Sequence, residues 1–76
     1  MTNEETKNNS ERLRIGQRIA ELRKGQGITQ TQLAERCGLQ QAHIARIETG
    51  RYSVGLDTLA QIADAMGMKI DFIIND

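Results

Sequence analysis

Apolar side chains recur along this chain at helical spacing, in four blocks separated by glycines. Ile15, Ile19 and Leu22 share one face of a segment from about Glu11 to Lys24, which Gly25 and Gly27 close. Ser10 suits the N-cap of that helix and Glu11 its first turn, while residues 1–10 form a polar tail without periodicity that is expected to be disordered. Thr29 with Gln32 can form a capping box ahead of Leu33, Ala34 and Cys37, and Gly38 supplies a left-handed stop. Leu39 can anchor the turn into a third helix, Gln41 to Thr49, that carries Ile44 and Ile47 and stops at Gly50; Gln40 is a poor cap for its start. Gly55 precedes the fourth block, Leu56, Leu59, Ile62, Ala63 and Met66, which ends at Gly67.

The tail MKIDFII departs from this rhythm. Met68, Ile70, Phe72 and Ile74 alternate with Lys69, Asp71 and Ile73, and the β-branched content favours a strand over a short fifth helix. A single strand has two unpaired edges, so it needs a partner. With the rest of the chain helical, the simplest partner is the same strand of a second copy, paired antiparallel across a two-fold axis. Residues 68–76 are therefore expected to be a dimerisation segment, and residues 11–67 the folded domain.

The third helix has a face that packing does not need. At about 100° per residue, with Gln41 at zero, Ile44 falls near roughly 300° and Ile47 near roughly 240°, so Gln41, Ala42, Ala45, Arg46 and Thr49 lie opposite the buried side. Two small residues allow close approach, and Gln41 and Arg46 project beyond them. In a DNA major groove, Gln can bind adenine with two hydrogen bonds, Arg can bind guanine, and Ala can touch the thymine methyl. Gln41, Ala42, Ala45 and Arg46 are thus the candidate base contacts.

The run GITQTQLAERCGLQQAHIARIETG resembles the helix-turn-helix of the lambda-repressor-like family, which includes phage Cro proteins, phage repressors and the XRE group of bacterial regulators. The likeness rests on Thr29, Gln30, Leu33, Ala34, Gly38, Leu39, Ile44, Ile47, Glu48 and Gly50, and extends from about Arg12 to Gly67. It implies an all-α, compact domain of four to five helices, with Gln30, Thr31 and Gln40 at DNA phosphates, although Gln40 replaces the Ser or Thr usual in the family. In similar proteins an Arg and a Glu at the positions of Arg23 and Glu48 pair across two helices. A salt bridge that sets the angle of the recognition helix is expected here. Thr49, at the end of that helix, is expected at a phosphate.

Composition narrows the picture. Net charge is zero, unlike a generic nucleic-acid binder, yet Glu11 to Met66 holds eight Arg or Lys against six Asp or Glu. Phosphate contacts should be few, with amides, hydroxyls and helix N-termini contributing. Arg51, Tyr52 and Ser53 can reach phosphates beside the groove, or Tyr52 can lay its ring over the core edge. The single histidine, His43, lies at the border of the buried arc and suits a phosphate contact better than catalysis. No ligand cluster surrounds it, and no enzyme, metal or cofactor is expected. Cys37 cannot form an internal disulfide and is expected to pack. No apolar run spans a membrane, and a cytoplasmic location is expected.

The expected function is a sequence-specific transcriptional regulator, a repressor that binds an inverted-repeat operator in double-stranded DNA as a homodimer. Two alternatives stand beside it: an antitoxin that holds a toxin protein and regulates its own operon, and a protein-interaction module without DNA binding.

Overall fold

The computed structural model describes residues 3–75, with side chains from residue 10 onward. Among the described residues four helices follow one another: α1 Asn3–Gly25, α2 Gln30–Cys37, α3 Gln41–Glu48 and α4 Leu56–Ala65. Helix α3 packs against both α1 and α2, and α2 packs against α4. The core gathers Ile19 from α1, Ile28 from the following loop, Leu33 and Ala34 from α2, Ile44 and Ile47 from α3, and Ile62 and Met66 from the α4 region. Leu33, Ile44, Ile47 and Ile62 are the largest side chains sealed from solvent, so the two central helices are clamped between their neighbours.

One glycine sets how closely two helices meet, and another makes the turn between two more. A Cβ at Gly16 would run into the carbonyl oxygens of Ile47 and Glu48, so the end of α3 rests directly on the backbone of α1. Gly38 adopts φ 70°, ending α2 in a left-handed turn that costs an L side chain energy. The N–H of Leu39 then donates to the Ala34 carbonyl at 2.9 Å, which closes the turn between α2 and α3.

The structure corrects several expectations. Helix α1 starts at Asn3, so Ser10 is inside it and the helix runs through the segment expected to be a polar tail. Residues 3–9 contain no Gly or Pro, and extending an already packed helix costs far less than nucleating one. Leu56 is 70% exposed; as the first residue of α4 it lies off the stripe formed by Leu59, Ile62 and Met66. Ile28, absent from the periodic pattern because it sits in a loop, is buried. Residues 68–75 form neither strand nor helix among the described residues, in keeping with a strand's need for a partner ladder.

Candidate nucleic-acid interface

The N-terminus of α2 is built by local hydrogen bonds. Thr29 Oγ1 accepts from the Gln32 N–H at 3.0 Å, and Gln32 Oε1 accepts from the Thr29 N–H at 2.8 Å, a complete capping box. Thr31 stands exposed in the first turn beside it. Helix α3 begins without such help: Gln40 is extended, exposed and makes no side-chain cap, which leaves its amide facing solvent.

Along α3, Ile44 and Ile47 are buried while Gln41, Ala42 and Arg46 are exposed and Ala45 is half-buried. The wheel of the sequence therefore matches the orientation of the helix. The Arg46 guanidinium has no hydrogen-bond or ion-pair partner among the described residues, so it is available to an incoming ligand. Thr49 differs: its hydroxyl donates back to the Ala45 carbonyl at 3.0 Å, so its hydrogen is engaged by its own helix and only the oxygen lone pairs face outward.

What holds the face in place is a polar network under it. Arg23 on α1 reaches Glu48 on α3 with two hydrogen bonds, Nε to Oε2 at 2.7 Å and Nη2 to Oε1 at 3.0 Å. Its remaining Nη1 donates to the Ile28 carbonyl at 2.9 Å. Both residues are 7% exposed, yet no buried polar side-chain atom among the described residues lacks a partner. The hydrogen bonds to Glu48 raise the Arg23 guanidinium above its ordinary value, more than burial lowers it, so it stays charged. Gln30 joins from the start of α2, donating Nε2 to Glu48 Oε1 at 2.9 Å, and its own Oε1 accepts from Gln41 Nε2 at 2.6 Å. Gln30, expected at a phosphate, is thus half-buried and committed at both ends of its amide. That network is invisible to helical periodicity, because it joins three elements whose proximity only the fold creates.

Past α3, the Arg51 N–H donates to the Arg46 carbonyl at 3.0 Å, and Arg51, Tyr52 and Ser53 are all exposed. His43 is half-buried and meets Tyr52 edge-on, ring centroids 4.7 Å apart and planes at 62°. The tyrosine ring therefore covers His43, and the two form one shoulder beside the exposed face. Among the described residues no three His, Cys, Asp or Glu side chains gather as a metal ion would require. Cys37 is half-buried, its thiol raised above the ordinary value by burial.

The chain matches the helix-turn-helix family over residues 19–73. It is 40% identical over 62 residues to the immunity repressor protein of Bacillus phage phi105; the match takes in 82% of this chain but 43% of that one, so this chain spans less than half of the repressor's length. Among solved structures, the restriction-modification controller protein C.AhdI from Aeromonas hydrophila superposes with a TM-score of 0.78 at 30% identity, covering 80% of this chain and 88% of that one. A toxin–antitoxin module from Streptococcus pneumoniae superposes with a TM-score of 0.70 at 32% identity, covering 100% of this chain and 84% of its counterpart.

Proposed function

This chain belongs to the XRE-type, lambda-repressor-like helix-turn-helix family, and on that basis we propose that it is a sequence-specific DNA-binding transcriptional regulator, a repressor that occupies an inverted-repeat operator as a homodimer. One observation carries the reading: α3 exposes Gln41, Ala42 and Arg46 while its opposite side is fastened to the core and to Arg23. A rigid helix with small and hydrogen-bonding residues outward has the form that major-groove recognition requires. In this reading Gln41 meets adenine, Arg46 meets guanine, and Ala42 and Ala45 approach thymine methyls. Thr31, Gln40, His43, Arg51, Tyr52 and Ser53 contact phosphates, with Gln30 contributing its remaining N–H, whereas the Thr49 hydroxyl, its one hydrogen given to the Ala45 carbonyl, has none to offer a phosphate oxygen. No catalytic step is part of this reading, and its setting is the cytoplasm.

The dimer is assigned to the C-terminal segment. Phe72, Ile73 and Ile74 are 99%, 88% and 91% exposed, an apolar run that a single copy leaves in water. Beside it, a cavity of about 850 Å³ opens between α1 and α4, lined by Ile15, Ile19, Leu59, Ile62 and Ile70. Pairing the segment with its twin as a strand gives one edge of its backbone a partner and covers part of its apolar run.

Selection of duplexes from a random pool tests the function. Enrichment of an inverted repeat with half-sites about 10 base pairs apart is expected. No enrichment would refute the regulator reading and favour an interaction module, the alternative to which the zero net charge points.

A second reading, the antitoxin, is favoured by the toxin–antitoxin module's coverage of this whole chain. It predicts that a neighbouring open reading frame arrests growth when expressed alone and is relieved by co-expression of this chain. A harmless neighbour would count against it.

A further inference from the structure

We infer that the C-terminal segment is complementary to a second copy of itself in one register: the two-fold axis passes through Ile70, and Lys69 of each copy lies opposite Asp71 of the other. The inference rests on the strand-paired dimer proposed above and adds to it an edge, a register and two ion pairs.

The edge follows from hydrogen bonds that the segment already makes. In an extended chain the backbone N–H groups of alternate residues point to opposite edges. The Met68 N–H donates to the Ala63 carbonyl at 2.8 Å, and the Phe72 N–H donates to Asp71 Oδ1 at 2.8 Å. Met68, Ile70 and Phe72 share one edge, and two of its three N–H groups are engaged within the chain. Among the described residues the N–H groups of Lys69, Asp71 and Ile73 have no such partner. Theirs is the edge open to a ladder, so Lys69 and Asp71 take its hydrogen-bonded positions.

The register follows from charge. When a strand pairs antiparallel with its own copy, the two-fold axis falls on a residue that faces itself. An axis on Lys69 or on Asp71 would set like charges directly opposite, which destabilises the pair. With the axis on Phe72, Asp71 faces Ile73 and Lys69 faces Asn75; with the axis on Ile73, Asp71 faces Asn75. In neither does a charge meet its opposite. With the axis on Ile70, Lys69 faces Asp71 twice over, once on each side. Neither residue has an ion-pair partner among the described residues of a single copy, and the Asp71 carboxylate keeps acceptor capacity beyond the Phe72 N–H. The same register sets Phe72, 99% exposed, opposite Met68, which is 37% exposed and already partly covered by its own chain. The charges stand on the outer face of the ladder and the apolar residues Met68, Ile70 and Phe72 on the inner one, because side chains alternate along a strand.

The test uses the full chain. In Ile70→Cys the two thiols face each other across the axis at a Cα separation of about 4.5 Å, within disulfide reach, whereas in Phe72→Cys they stand more than about 13 Å apart along the ladder. Mild oxidation should cross-link Ile70→Cys nearly completely and Phe72→Cys no more than the parent, whose Cys37 gives the background. Charge reversal reads the ion pairs by sedimentation equilibrium. Lys69→Asp and Asp71→Lys should each weaken self-association about ten-fold or more, and both changes in one chain should restore it to within about three-fold. An equimolar mixture of the two single variants should form mixed dimers in preference to either self-dimer. All these positions are exposed, so the helical domain should keep the parent's melting temperature in every variant. Cross-linking through Phe72→Cys instead of Ile70→Cys overturns the register and leaves the strand dimer standing. Single reversals that associate like the parent, or a double reversal as weak as the singles, overturn the ion pairs and the register with them. A parent that stays monomeric at every concentration overturns the dimer and the inference together.

Discussion

At the scale of single residues, the proposed interface assigns Arg46 to specificity and Arg51 to affinity. Arg46 is exposed on the outward face of α3, whereas Arg51 lies beyond its end, tied to it only by a backbone hydrogen bond to the Arg46 carbonyl at 3.0 Å. Arg46→Ala should therefore cost about 1–3 kcal/mol of operator binding and relax the preference at one base pair. Arg51→Ala should weaken all sequences alike and reduce the salt slope by about one. Band shifts across salt concentrations would distinguish them, and a pair of variants that bind every duplex like the parent would remove both assignments. The buried pair makes a different prediction. Arg23→Met leaves the Glu48 carboxylate 7% exposed and without its cation, which should destabilise the fold by about 3 kcal/mol. In a chain of this size that corresponds to a fall in Tm of more than about 10 °C, and an unchanged melting curve would contradict the role given to the pair. Cys37 supplies the pH dependence. Burial raises its thiol, so the folded chain keeps the proton to higher pH than the unfolded chain does. Its contribution to stability is intact below the unfolded thiol's ordinary value and is lost as pH rises through the higher folded value. Alkylation of the native protein should accordingly be slower than that of the denatured chain, with a midpoint at higher pH; equal rates and midpoints would rule this out.

At the scale of elements, the recognition helix owes its pose to close contact with α1. A Cβ at Gly16 would strike the Ile47 and Glu48 carbonyls, backbone atoms that cannot swing aside. Gly16→Ala should destabilise the protein by about 1–3 kcal/mol and weaken operator binding beyond what the stability loss explains, because α3 must tilt to relieve the clash. Gly25→Ala is the control: nothing lies within 4 Å of its added Cβ, and its effect should stay within about 0.5 kcal/mol. Denaturant titration of the two variants measures the difference, and equal stabilities would show that α1 and α3 are not in close register. These contacts also mark how far the sequence could be read. Thr29, Gln32 and Gly38 signalled the boundaries of α2 correctly, because caps and left-handed turns are local chemistry. Gly16 carried no signal of its own: a glycine inside a helical pattern is merely unfavourable until the partner helix is known. Ile28 was overlooked for the same reason, being a loop residue that the tertiary fold covers.

At the scale of the whole molecule, the unresolved demand is the apolar tail. Phe72 is 99% exposed and Ile74 is 91% exposed, and neither is covered by the chain's own helices. Phe72→Asp should shift the protein to monomer in sedimentation equilibrium and convert operator binding to the weaker, shallower titration of single half-sites. A variant that remains dimeric would place the two-fold contact elsewhere on the surface, with the cavity between α1 and α4 the next region to probe. In the proposed dimer, two recognition helices acting together would offset the small electrostatic attraction that one copy of zero net charge offers DNA.

The sequence by itself determined the identity of the helix-turn-helix, the boundaries of α2 and the side of α3 that faces outward, because capping, glycine turns and helical periodicity depend on neighbours within a few residues. The tertiary structure alone decided that Gln30 turns inward to join Glu48 to Gln41, that Gly16 lets two backbones touch, and that Tyr52 leans on His43. Each of those contacts joins residues distant along the chain, and their geometry follows from how the helices cross, which no periodicity within one helix encodes.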